Sequence, residues 1–314
     1  MQGIIVSKNS ERIAFCAMGF KINSGKSIAY RVLLLLAACF CCILFLIIWT
    51  DSCEASAHRD PTAVRVNIES ILDKEEWSLQ DYELLTAQTG LACEVLEVLS
   101  EQGRREELIR LQEEYFRPVN FRCEPNSIIS KEEYVADEQG LPVKGMTIPY
   151  VEEGDILITF CSHAFGWRNG HVGLVVDAEK RLVLEAQVLG TPTVVTSLDH
   201  WESYPSFMVF RLEDAEREER AAIAAYAMEY LVDVPYRLTA GILGGRMPGG
   251  GAAQKGELVQ TTQESLSGTQ CAHMVWYAYR QFGYDLDSDG GLIVTPRDLA
   301  ESRNLKIIQK YGVQ

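Results

Sequence analysis

Thr269-Gln270-Cys271-Ala272-His273-Met274-Val275-Trp276-Tyr277-Ala278-Tyr279-Arg280-Gln281-Phe282-Gly283 is the stretch around which the chain is organised. Ala272, Val275, Trp276 and Tyr279 recur at spacings of three and four, the period of one apolar helix face. A Gly/Ser/Thr-rich run precedes the segment and Gly283 closes it, so loop, helix and C-cap follow one another. Cys271 therefore stands at or beside a helix N-terminus, where unpaired N–H groups and the helix dipole favour a thiolate. A thiol in that place is either a nucleophile or one more buried core cysteine.

The segments before this helix have a different period. Asp155–Phe160, His171–Asp177, Arg181–Gln187, Thr193–Ser197 and Phe207–Leu212 are short and rich in Val, Leu, Ile and Phe, which predicts strands. Glu213–Val232 reads as a helix, Thr295-Pro296 opens another, and Leu305–Gln309 is a last strand. Strands grouped between helices predict an α+β fold with an antiparallel sheet rather than alternating α/β. In the His171 hairpin, pairing the apolar sets places Val172 opposite Ala186, Leu174 opposite Leu184 and Val176 opposite Leu182. That register closes over Ala178-Glu179-Lys180. It sets Glu185 opposite Gly173 and diagonal to His171, within reach of a long side chain. A histidine backed by a carboxylate, with a cysteine at a helix start, is what nucleophilic thiol catalysis requires.

These stretches together carry a resemblance. Gly154-Asp155-Ile156-Leu157, His171-Val172-Gly173-Leu174-Val175-Val176, Leu184-Glu185-Ala186 and Cys271 opening a helix resemble the circularly permuted NlpC-type papain-like hydrolases, the YiiX-like group. The histidine strand precedes the cysteine helix in that branch, and the match covers roughly Gly154 to Ser302. The resemblance implies a permuted papain-like cysteine peptidase or amidase, with Cys271 as nucleophile, His171 as base and Glu185 orienting the histidine. Pro235-Tyr236 resembles the Pro-Tyr that precedes the nucleophile, which implies that Tyr236 lines the oxyanion site; here 35 residues separate it from Cys271. Ala272 stands where the group often has serine.

Other polar residues compete for roles. His163, in Cys161-Ser162-His163, is the rival base; register and motif favour His171. Glu185 read without the hairpin is a solvated strand residue. His273 lies two past Cys271 and points elsewhere on the helix, and His200 before Trp201 carries no signal. Asp285-Leu286-Asp287-Ser288-Asp289-Gly290 starts like a calcium loop, but the twelfth position is Pro296 instead of glutamate, so it reads as a turn. No cysteine–histidine cluster has zinc spacing. No metal and no cofactor are expected.

The chain has 314 residues and a formal charge of −15, yet residues 1–31 hold five basic residues against one acidic. The rest is strongly acidic, which argues against nucleic acid as a partner. Val32 to Trp49 is an unbroken apolar run of 18 residues, about 27 Å as a helix and enough for a hydrocarbon core. Lys26 and Arg31 precede it while Asp51 and Glu54 follow, so the N-terminus is expected inside and everything after Thr50 outside. Three outcomes fit the run: an uncleaved single-pass anchor, a signal segment cut after Ala55-Ser56-Ala57, or lipidation at Cys39 in Leu36-Ala37-Ala38-Cys39. All three export the remainder.

The expected organisation is a basic tail (1–31), the anchor or signal run (32–49), a linker (50–65), a helical region (66–150) and the catalytic domain (151–314). Ser78 with Asp81 reads as a capping box before Leu79–Thr89. Leu91–Gln102 and Arg104–Phe116 follow, and Ser130–Asp137 reads as one more short helix. Cys93 and Cys123, beyond the cleavage pattern, could bridge and staple this region. Gly241–Gly268 is a long glycine-rich loop. The function expected is an exported thiol hydrolase acting on amide bonds of peptidoglycan stem peptides or other wall-associated peptides, tied to the membrane by its N-terminal helix. A thiol acyltransferase or lipid-amide hydrolase, and a catalytically silent binding module, are the alternatives.

Overall fold

The structure, a computed structural model, describes residues 24–53, 57–127, 129–240 and 266–313. Two compact units divide the chain, Met1–Trp49 and Thr50–Gln314. Helix α1 (Ser24–Cys53) starts ahead of the apolar run, since nothing from Ser27 to Arg31 breaks a helix. Its stretch Ile28–Trp49, 22 residues with none of them buried, is long and apolar enough to cross a membrane or to serve as a signal segment.

The larger unit is an α+β body built on two antiparallel sheets. Its helices begin with α2 (Glu69–Leu72), α3 (Leu79–Thr89), α4 (Cys93–Glu101) and α5 (Arg105–Phe116). The Ser78–Asp81 capping box closes the start of α3 and Gly90 ends it. Strands β1 (Asn120–Pro125), β2 (Ser130–Ala136), β3 (Ile156–Thr159), β4 (Ser162–Ala164) and β5 (Trp167–Arg168) follow. Next come β6 (His171–Asp177), β7 (Leu182–Glu185), β8 (Val194–Ser197), a 3-10 turn at Leu198–Ser203 and β9 (Phe207–Leu212). The chain ends with α6 (Arg217–Tyr230), α7 (Cys271–Arg280), α8 (Pro296–Ala300) and β10 (Leu305–Tyr311).

Six strands form the main sheet in the order β10-β9-β3-β6-β7-β8. Alternation sends Ile156, Ile158, Val172, Leu174 and Leu184 into a core shared with α6 and α7. Leu157, Val175, Val183, Val209 and Ile308 enter a second core with α2 to α5. The helices expected as a separate region thus cover the back of the sheet. With both faces covered, β6 is buried from His171 to Val176, and each such aliphatic side chain contributes about 1.5–3 kcal/mol. Residues 57–65, expected as linker, also dock: the Arg59 N–H donates to the Gly312 carbonyl at 2.8 Å, and Gln88 Nε2 donates to the Val64 carbonyl at 3.0 Å.

The hairpin register holds at Gly173–Glu185, Leu174–Leu184 and Val175–Val183, then shifts so that Leu182 faces Asp177 instead of Val176. A β-bulge at Val176 absorbs the extra residue, so the expected Val176–Leu182 pair does not form. Ser130–Asp137 is a strand and not a helix: β2 pairs with β1 on one side and β4 on the other. Partners on both edges, together with burial of Glu133 and Val135 at a period of two, outweigh the helical preference of Lys-Glu-Glu. The resulting second sheet runs β1-β2-β4-β5.

No disulfide joins Cys93 and Cys123; both are exposed thiols, one opening α4 and the other on β1, so the expected staple is absent. Most of the expected Gly241–Gly268 loop, residues 241–265, lies outside the described residues, as do residues 1–23 of the basic tail and Ala55 and Ser56 of the cleavage pattern.

Candidate active site

Cys271 is the first residue of α7 and only 7% exposed. Its neighbour Gln270 is the N-cap, with Oε1 accepting the Ala272 N–H at 3.1 Å while Nε2 donates to the Val294 carbonyl at 2.6 Å. Cys271 Sγ lies 3.6 Å from the same Gln270 Oε1. The cap thus holds the thiol at the helix start, where the dipole favours an anion.

His171 opens β6 opposite Thr159 of β3. Its Nε2 donates to Glu185 Oε1 at 2.8 Å, which leaves Nδ1 for the neighbouring Cys271 side chain. The indole of Trp201 stacks on the imidazole, centroids 5.4 Å apart and planes 14° from parallel. That stack needs Gly173, because a Cβ there would lie 2.9 Å from Trp201 and 2.5 Å from Val183. Burial works against the imidazolium, but hydrogen bonds and charge from Cys271 and Glu185 outweigh it and hold His171 well above the ordinary 6.5. The site therefore favours the imidazolium form of His171, held beside Cys271 and Glu185.

Glu185 is fully buried, which removes its reading as a solvated strand residue. Burial raises its carboxyl, yet hydrogen bonds and charge from His171 and His200 bring it below the usual range. Oε1 faces both imidazoles, His200 Nε2 at 3.3 Å. Oε2 accepts from Thr196 Oγ1 and, at 3.3 Å, from Gln187 Nε2. His200, Thr196 and Trp201 were not singled out by sequence. They lie 11 to 16 residues beyond Glu185, and only the β7–β8 pairing and the 3-10 turn fold them back onto it.

Tyr236 reaches the same place although Cys271 lies 35 positions further along the chain. The Thr269 N–H donates to the Pro235 carbonyl at 2.9 Å and the Arg237 N–H to the Thr269 carbonyl at 2.7 Å. The insertion between them thus leaves and returns at one point. Burial and the nearby Cys271 raise the Tyr236 phenol, so it remains a hydrogen-bond donor. His163, by contrast, belongs to the second sheet, its Nε2 2.9 Å from Glu133 Oε1, which also accepts from Arg168 Nη2 at 2.8 Å. His273 is fully buried against Trp276 and Tyr277, with Thr269 Oγ1 3.0 Å from its Nδ1.

The Asp285–Gly290 segment forms a turn in which the Gly290 N–H donates to Asp287 Oδ1 and the Gly291 N–H to Asp289 Oδ1. Asp298 joins Asp287 and Asp289 there, carboxylate oxygens within 4.8 Å. Asp298 is itself engaged in the capping box at the start of α8.

No protein-family model and no curated protein matches the chain. Among solved structures it is loosely similar to the crystal structure of the metalloprotein YiiX of Escherichia coli O157:H7, at 17% identity and a TM-score of 0.36. That likeness covers 51% of this chain and 97% of the other.

Proposed function

We propose that the chain is an exported cysteine hydrolase with a permuted papain-like, NlpC-type catalytic region, and that it cleaves amide bonds of peptidoglycan stem peptides or related wall peptides. The observation that carries this reading is the convergence of Cys271, His171 and Glu185 from α7, β6 and β7, with His171 Nε2 donating to Glu185 Oε1 at 2.8 Å. His171 Nδ1 takes the thiol proton and the thiolate adds to the substrate carbonyl. The C–N bond then breaks as the imidazolium gives that proton to the departing amine. Water, deprotonated by His171, attacks the thioester and releases acid and free Cys271. The Cys271 backbone N–H, at the helix start, and the Tyr236 hydroxyl are the donors assigned to the oxyanion. Export is supported by the apolar Val32–Trp49 run, preceded by Lys26 and Arg31 and followed by Asp51.

A second reading, a thiol acyltransferase or lipid-amide hydrolase, is favoured by one feature of the loops that meet here. Leu189, Leu238 and Leu292 are exposed. They lie within two residues of Thr191, Arg237 and Val294, whose hydrogen bonds reach Tyr236, Thr269 and Gln270. One experiment separates the readings: incubation with purified muropeptides and, in parallel, with an N-acyl amide, with mass spectrometry of Cys271 for the trapped acyl group. Turnover of muropeptides supports the first reading and an acyl adduct from the lipid amide alone supports the second. No adduct from either, with an unreactive Cys271, leaves a silent binding module.

A further inference from the structure

His200 is an ionisable side chain at the site that the mechanism above does not use. Its Nδ1 lies 2.6 Å from the Ser197 carbonyl, which can only accept, so Nδ1 carries a proton. Its Nε2 lies 3.3 Å from Glu185 Oε1, a carboxylate oxygen that also only accepts. A neutral imidazole has one N–H and satisfies one of the two; the imidazolium satisfies both. The Glu185 oxygen involved is the one that holds His171 at 2.8 Å. The two rings therefore share one oxygen of one buried carboxylate.

We propose that His200 is a pH-responsive positioning residue: protonated, it clamps Glu185 and weakens the hold of that carboxylate on His171; deprotonated, it releases Glu185 to His171 alone. This inference rests on the thiol-hydrolase reading. The groups that face His200 are few. Glu185 on β7 favours its cation and His171 on β6 opposes it. The rings of Trp201 and Tyr204 pack beside it at 5.8 and 6.2 Å, and the Tyr204 phenol stays neutral because burial raises it. His200 is the outermost member of the series, its side chain 37% exposed against 5% for His171. It exchanges protons with solvent while the inner pair stays enclosed. Burial and the charge of His171 oppose the His200 cation, but the Glu185 carboxylate and the Ser197 carbonyl outweigh them and place its transition above the ordinary 6.5. Acidification then turns the thiolate down through a rim group, without first protonating the enclosed pair.

The test uses the full chain in detergent micelles and reads alkylation of Cys271 by iodoacetamide from about pH 5 to 9, resolved by peptide mass spectrometry. The wild-type rate should rise in two steps. His200→Gln, neutral at every pH, should lose the step belonging to His200 and react roughly threefold to tenfold faster near pH 6, since one unit of coupling is a factor of ten. Superimposable profiles overturn the proposal. His171→Gln is run beside it: no change there defeats the thiol-hydrolase reading itself, and a change in His200→Gln alone defeats the route through His171. Should His200→Gln fail to fold, histidine NMR of the wild-type chain decides. His200 titrating above 6.5 with His171 signals moving in the same step supports the clamp; separate or lower titration overturns it.

Discussion

Cys271, His171 and Glu185 differ in what each supplies, so their loss should differ in kind. Cys271→Ala should abolish turnover, because no other group here forms the acyl bond. His171→Ala should be nearly as severe and should move Cys271 alkylation to higher pH, as the thiolate loses its cation. Glu185→Gln should do less, since an amide still orients the ring while its charge is gone. Kinetics of the three variants on a cleaved wall peptide check the order; a Glu185→Gln loss equal to that of Cys271→Ala would show that the carboxylate does more than orient. Stability follows from the same groups. Glu185 is held below its ordinary 4.5, so its contribution is complete above that pH and drains as pH falls through the lowered value. His171 is held above 6.5, so its contribution is complete below that pH and is lost as pH rises through the raised value. The gap in urea midpoint between wild type and Glu185→Gln should therefore be full near about pH 6 and narrower near about pH 3, still closing as pH falls further. An equal gap at both contradicts the linkage.

At the scale of elements, two glycines hold the site together. Gly154 sits at φ 87°, and a Cβ there would meet the Arg220 carbonyl oxygen at 2.7 Å. It lets α6 close onto the start of β3, where Asp155 pairs with Arg211 at 2.8 and 2.7 Å. Gly103→Ala should cost about 1–2 kcal/mol, since its surroundings are open at a φ of 67°, and Gly154→Ala should cost more, because the same backbone penalty is joined by the clash with Arg220. Gly173→Ala tests a different link, because its added methyl lies against Trp201. It should cost about 1–3 kcal/mol and also disturb Cys271 alkylation by moving the ring that stacks on His171. Lost stability with an unchanged alkylation profile would separate Trp201 from the site. Cys271 at a helix start and the Gly173–Glu185 register were both legible in the chain, since each is set by local period and pairing. β2 was misread as a helix because its partners β1 and β4 lie outside any local window.

For the whole molecule, the apolar helix and the acidic body make separate predictions. Protease added to intact cells should reach the region beyond Thr50; protection of that region contradicts the topology. N-terminal sequencing of the exported form should begin at His58 if the segment is cut after Ala57, and upstream of it if the anchor is kept. The docked strap matters independently. A chain starting at His58 should keep its urea midpoint. One starting at Val66 loses the Arg59–Gly312 and Val64–Gln88 hydrogen bonds and should be less stable by about 1–3 kcal/mol.

Sequence alone determined the α+β class, the apolar N-terminal helix, the capping box of α3, most of the hairpin register and the juxtaposition of His171 with Glu185. Those features follow from composition, period and neighbours a few residues apart. The tertiary structure alone decided that α2 to α5 cover the sheet, that no disulfide joins Cys93 to Cys123, and that Tyr236 returns to Cys271 across the insertion. It also decided that His200, Thr196 and Trp201 converge on Glu185 and His171. Their approach depends on strand pairing and packing between elements, and a carboxylate that must be buried with four donors leaves no periodic trace of which donors it takes.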